Sequence, residues 1–165
     1  MRLLTSVLAI GLLAAGCERH HVTLESKQVL GQPTERAPQL HVTCALEGPT
    51  EPLPVGGTDV DLIGVRRTIE DVVTADLQPW AVRAHRKGGW ELSLELFRAQ
   101  GSASRGVTTA ELSVRAVLSS TIGEVNASQT RRDCRETGAE PDAAFYACIQ
   151  SLAHDLSGWI EGVQP

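Results

Sequence analysis

The chain has 165 residues, 15 of them Lys or Arg and 20 Asp or Glu, for a formal net charge of −5 at pH 7. That length suits one domain able to bury its own core. The acidic balance argues against nucleic acid as a partner, because such binding needs a basic face, and the arginines here are spread rather than clustered.

Met1-Arg2 gives a short positive start, Leu3 to Leu13 an apolar run, and Ala14-Ala15-Gly16 a trio of small residues ending at Cys17. This is the pattern of a signal peptide over residues 1–16. A membrane-spanning helix is excluded on length, since it needs about 20 apolar residues and this run stops at Gly16-Cys17-Glu18-Arg19-His20. The stretch resembles the lipobox of bacterial lipoproteins, with Ala14 standing where Leu is usual. The resemblance implies an acylated Cys17 as the mature N-terminus and a membrane held through that lipid. Glu18 rather than Asp after the cysteine implies sorting to the outer membrane, facing the periplasm, if the host has two membranes. Loss of Arg2 with the leader would leave 14 basic and 20 acidic residues, a balance of −6.

Export places the remaining cysteines, Cys44, Cys134 and Cys148, where disulfides persist. Three thiols permit one bridge. Cys134–Cys148 closes the shortest loop, an effect worth about 3 kcal/mol in the chain-entropy picture; Cys44–Cys148 is the main rival, both being expected to face the core.

Residues 17–39 are polar, carry Pro33 and Pro38, and show no sustained apolar period, so they are expected to form a flexible tether in which isolated apolar positions such as Val22 and Leu24 allow at most a short ordered patch. A single domain is expected over 40–165. Leu40 to Glu47 alternates apolar and polar residues like a half-buried strand. Gly48-Pro49 stops it, and 51–57 reads as a loop. Thr58 or Asp59 is the expected cap of a helix whose apolar positions are Leu62, Val65, Ile69, Val72, Val73 and Trp80, with Pro79 ending or kinking it near Gln78. Arg66, Arg67, Glu70 and Asp71 fall on its solvent side.

Trp90 to Phe97 and Glu111 to Leu118 alternate cleanly, joined by a flexible connection at 101–106. Trp90, Leu92, Leu94 and Leu96 share a face with Leu112, Val114, Ala116 and Leu118; Glu91, Ser93, Glu95, Ser113 and Arg115 share the other. A polar strand from Glu124 to Arg132 follows, expected as a sheet edge blunted by its polar side chains, with acceptance of a partner strand as the alternative, and then a charged loop over 133–142. Asp142 is the expected cap of a last helix with the stripe Phe145, Cys148, Ile149, Leu152, Leu156, Trp159, Ile160 and Val163.

Strand, helix, three-strand meander and helix make an α+β two-layer sandwich with a mostly antiparallel sheet and both helices on one face. The first strand is expected to join its neighbour in parallel through a crossover. This order resembles that of small periplasmic accessory lipoproteins: the LptE-type, the auxiliary lipoproteins of ABC-type transport, and the LpoB-type. No sequence motif of theirs is matched, so no residue role is carried over.

Little in the sequence suggests chemistry. The histidines 20, 21, 41, 85 and 154 are scattered, and His154-Asp155 are helix neighbours that do not face each other. No Gly-x-Ser-x-Gly, phosphate-binding glycine loop or Cys-x-x-Cys is present. No catalytic residue, metal or cofactor is therefore expected. The reading is a non-catalytic accessory or scaffold subunit of a cell-envelope complex, anchored to the membrane through Cys17 and bound to an envelope protein. A carrier or sensor of an apolar ligand is the alternative, and it would need an enclosed apolar cavity between sheet and helices.

Overall fold

The computed structural model describes residues 20–24, 40–47, 50–84, 89–120 and 128–163. The signal peptide, Cys17, most of the expected tether (25–39), His85 and the expected strand start at 124–127 lie outside them. The described chain is an α+β sandwich. A four-stranded sheet is built from β2 (Leu40–Leu46), β5 (Trp90–Ser104), β6 (Val107–Ser120) and β7 (Ser128–Gly138), in the order β2-β5-β6-β7. β5, β6 and β7 form an antiparallel meander, and β2 joins β5 in parallel. The crossover between β2 and β5 is α1 (Leu62–Ala84), which packs on β2. α2 (Pro141–Gly162) packs on β6, β7 and α1. Both helices thus cover one face.

Alternation explains why the meander forms. Leu92, Leu94, Leu96, Leu112, Val114, Ala116 and Leu118 are all at most 2% exposed, so every second residue of two adjacent strands faces the helices. Burying each Leu contributes about 1.5–3 kcal/mol. The helices answer with Val65, Ile69, Val73, Leu77 and Trp80 from α1, and Phe145, Cys148, Ile149, Leu152, Leu156 and Ile160 from α2. Trp80 and Trp90 meet edge-to-face, ring centroids 5.6 Å apart, where α1 crosses the start of β5.

Several boundaries differ from the sequence expectations. The stretch 51–57 is not all loop: β3 (Leu53–Val55) and β4 (Thr58–Val60) form a hairpin across Gly56-Gly57. Gly56 takes the left-handed φ of +63° that the tight turn requires. Thr58 and Asp59 therefore belong to a strand, and α1 is capped by Asp61, whose Oδ1 accepts from the Ile63 N–H at 2.9 Å. Pro79 lies inside α1 rather than ending it. It removes one helical hydrogen bond, but the following Trp80 and Ala81 are 7% and 3% exposed, and their burial holds the last turn in place.

The β5–β6 connection is only the two-residue turn Arg105-Gly106, both at positive φ, so the hairpin is much longer than expected. β7 likewise runs through Asp133 to Gly138, where a loop was expected, because Cys134 and the pairing to β6 carry the strand on. α2 opens at Pro141, with Glu140 as cap residue, and Asp142 sits in its first turn. Gly158 is exposed and makes no close approach to the sheet.

Within the stretch expected as a tether, His20–Val22 form β1, parallel to β4. The Asp61 N–H donates to the Val22 carbonyl at 3.2 Å, and Leu24 is 8% exposed, its backbone lying over Gly64. Two apolar side chains at alternate positions suffice to lay this short run on the domain.

Candidate functional site

Three surfaces carry the polar side chains that the core does not use. The first is the edge of the sheet at β2. Arg66 and Glu70 sit one turn apart on α1, and rather than facing solvent they reach β2. Glu70 Oε1 accepts from the Cys44 N–H at 2.7 Å, and Arg66 Nη1 donates to the Cys44 carbonyl at 3.1 Å. Both backbone groups of that edge residue are thereby satisfied by charged side chains, a strong form of hydrogen bond. The effect is to occupy this edge against a further strand.

Beneath this clamp lies Cys44, the free cysteine among the described residues, 2% exposed. Burial, with the nearby Glu70 carboxylate adding to it, pushes its thiol up to about 12, from an ordinary value of 9.0. Since the thiolate is the reactive form, Cys44 is expected to resist iodoacetamide in the native protein at pH 8–9 and to be alkylated only on unfolding. A raised native value also has a stability consequence: from about pH 9 upward the unfolded thiol ionises and the native one does not, so stability falls as pH rises toward 12. Cys44→Ala should flatten that alkaline loss, measured by urea unfolding at pH 8 and pH 10. Rapid native labelling would contradict the assignment.

The second surface is the solvent face of the sheet. A β-bulge lies between Leu96 and Arg98. It reverses the alternation, so that inward positions are even-numbered before it and odd-numbered after it. Phe97 and Arg98 are consequently both turned outward. The Arg131 and Arg115 guanidinium carbons lie 4.9 and 5.6 Å from the Phe97 ring centre, a cation–π arrangement worth about 0.5–1 kcal/mol at such a site. Arg115 also pairs with Glu95. Arg98 and Arg135 approach Glu111 at 3.7 and 3.4 Å, and Arg131 approaches Asp133 at 3.1 Å. Hydrogen bonds from Ser113 and then Arg131 hold the Asp133 carboxyl below its usual range. Side chains as exposed as these contribute little individually, about 0–1 kcal/mol per pair. Two open clefts share Leu53, one of about 370 Å³ lined by the bulge together with Leu46, Pro52 and Leu62, and one of about 320 Å³ beside Gln100, Ser102 and Glu111.

The third is the opposite edge of the sheet, β7, the last strand in the order. Its sequence from 128 to 138 is Ser-Gln-Thr-Arg-Arg-Asp-Cys-Arg-Glu-Thr-Gly. Exposed Gln129, Arg131, Asp133 and Arg135 alternate with Thr130, Arg132, Cys134 and Glu136 turned toward the helix layer.

Of the residues singled out in the sequence, Cys134 and Cys148 are joined as a disulfide with Cα atoms 5.6 Å apart, which rules out the Cys44–Cys148 rival. The described histidines are not brought together: His20 and His21 lie on β1, His41 on β2 and His154 on α2, all exposed. Among the described residues, no group of three or more His, Cys, Asp or Glu side chains is placed to hold a metal ion. No described helix is long and apolar enough to cross a membrane. The clamp from Arg66 and Glu70 and the arginines around Phe97 were not foreseen. Only the second had a signal, an aromatic residue at an outward position of an alternating strand.

No protein-family model matches the chain, and no curated protein matches it. Several solved structures are similar in part. A Xanthomonas campestris protein of the DUF330 family has a TM-score of 0.47 and 14% identity over 77% of this chain and 88% of its own. A Caulobacter crescentus chain thought to be a lipoprotein gives 0.43 and 16% over 78% and 95%. A minor lipoprotein from Acinetobacter baumannii gives 0.40 and 12% over 78% and 98%.

Proposed function

We propose that the protein is a lipoprotein of the cell envelope, anchored through an acylated Cys17, facing the periplasm from the outer membrane, and acting as a non-catalytic accessory or scaffold subunit. The observation that carries this reading is that the described fold begins at His20, three positions after Cys17 in the sequence. β1 begins at His20 and is stitched to β4, while Leu24 is buried beside α1. Three residues of extended chain reach about 10 Å, so a lipid on Cys17 holds the small β1-β4-β3 sheet close against the bilayer. Such a mounting suits a subunit that presents fixed surfaces at a set height.

The interior between sheet and helices supports the same reading over that of an apolar-ligand carrier. Phe145, Leu92, Leu96, Leu112, Ile149 and Leu152 are all fully buried there.

Cys17→Ser tests the anchor. The variant is expected to leave the membrane fraction entirely, and the intact mass of the native protein should correspond to a chain starting at Cys17 with acyl groups added. An uncut, unacylated chain would overturn the anchor. For the subunit role, cross-linking in intact envelopes should recover one envelope protein repeatedly in fixed proportion; repeated recovery of the chain by itself under mild detergent would remove that reading.

A further inference from the structure

We infer that the β7 edge is a self-recognition surface, pairing antiparallel with β7 of a second copy to make a continuous eight-stranded sheet. The two edges of the sheet are treated differently. At β2, side chains from α1 occupy the edge backbone at Cys44, whereas among the described residues β7 ends the sheet with an eleven-residue strand paired on one side to β6. A strand of that length offers a regular ladder to another strand.

The charges on β7 select the occupant. Arg132-Asp133-Cys134-Arg135-Glu136 is antisymmetric about Cys134: reading outward in either direction, each charge meets its opposite at the mirrored position. A two-fold axis through facing Cys134 residues sets Asp133 against Arg135 of the second copy and Arg132 against Glu136 of the second copy. Both pairs occur twice by symmetry, as an isologous interface demands. The first pair lies on the solvent face, where Asp133 and Arg135 side chains are 55% and 74% exposed. The second lies toward the helices, where Arg132 and Glu136 are half-buried.

Neighbouring two-fold registers fail. An axis at Asp133 opposes Asp133 to itself and Arg131 to Arg135, while axes at Arg132 or Arg135 oppose an arginine to itself. Like charges directly opposite each other destabilise a ladder, so one register is favoured. On pairing, the Arg132 guanidinium would give up its present bonds to Thr130 Oγ1 and the Arg131 carbonyl for the Glu136 carboxylate of the second copy. Cys134 stays bonded to Cys148 and takes no covalent part.

Sedimentation of the full chain in density-matched mild detergent tests this. A dimer is expected, and Asp133→Arg should raise its dissociation constant about tenfold or more, since it turns two attractive cross-strand pairs into repulsive ones. The double variant Asp133→Arg/Arg135→Asp restores the antisymmetry and should restore the dimer. A spin label at Thr137→Cys reads the register, because that residue lies six positions from its own copy along the paired strands, about 20 Å. A monomeric wild type would overturn the proposal, as would a dimer indifferent to Asp133→Arg. Neither result bears on the Cys17 anchor, which is read by membrane fractionation.

Discussion

Truncation of Phe145 to Ala is expected to lower the free energy of unfolding by about 3–5 kcal/mol, the usual cost of deleting a buried aromatic ring. Phe145 is fully buried in the first turns of α2. Its ring lies beside Gly101 of β5, and a Cβ built on Gly101 would come within 3.4 Å of the ring and meet both methyl groups of Val55. The ring therefore joins three elements: α2, the far half of the β5–β6 hairpin, and the β3–β4 hairpin. Collapse around the missing ring is restricted because these elements are fixed elsewhere, by the disulfide and by the strand ladders. With total stabilities of about 5–15 kcal/mol for domains of this kind, a large part of the margin would go. The melting temperature should fall by roughly 10–20 °C. Urea titration followed by tryptophan fluorescence measures it, with Phe145→Leu as a milder comparison. A variant within about 1 kcal/mol of wild type would mean that α2 is not seated on the hairpin as described.

That junction also shows why only half of the meander was legible in the sequence. Before the bulge, the inward residues of β5 are Trp90, Leu92, Leu94 and Leu96, and alternation is plain. Beyond it they are Ala99, Gly101 and Ala103, facing Leu112, Ala110 and Thr108. Small residues are required there because Val55 and Phe145 fill the space from the other layer. A pattern search that counts large apolar residues finds nothing in such a stretch and reads it as a flexible connection. The far half of β7 hides from periodicity for a related reason, since beyond Arg132 its inward positions are Cys134 and Glu136 and supply no apolar run. The turn at Gly56-Gly57 did have a signal, two glycines between Leu53-Pro54-Val55 and Thr58-Asp59-Val60, but the neighbouring prolines argued for a loop.

The candidate site was less legible than the fold, because its contacts join residues far apart in the chain. Periodicity puts Arg66 and Glu70 on the polar side of α1 without showing that β2 passes beside that side. Nor does alternation show which strand ends a sheet, and that fact gives the charges of β7 their meaning. What the sequence did contain was the polar, edge-like character of residues 128–132. The antisymmetry about Cys134 has a structural meaning only because 133–138 is strand.

Breaking the Cys134–Cys148 bridge is expected to cost about 2–4 kcal/mol. The bridge ties β7, the last strand of the sheet, to the helix that covers it, across a sequence separation of 14. The unfolded chain then keeps a closed loop, and loop-closure entropy for that length corresponds to about 3 kcal/mol. The position of the bridge adds to its effect. Cys148 is fully buried and Cys134 nearly so, while the rest of β7 presents mainly polar and charged side chains, so few apolar contacts would hold this edge strand once the link is cut. Cys134→Ala/Cys148→Ala should lower the urea midpoint by the corresponding amount, and excess dithiothreitol should lower that of the wild type to match. Cys44→Ala should keep the full response to reductant, because Cys44 takes no part in the bridge. Peptide mapping without reduction should recover 134 linked to 148. If the double variant unfolded at the wild-type midpoint, or if Cys44→Ala abolished the reductant effect, the pairing and its role in holding β7 to α2 would both be wrong.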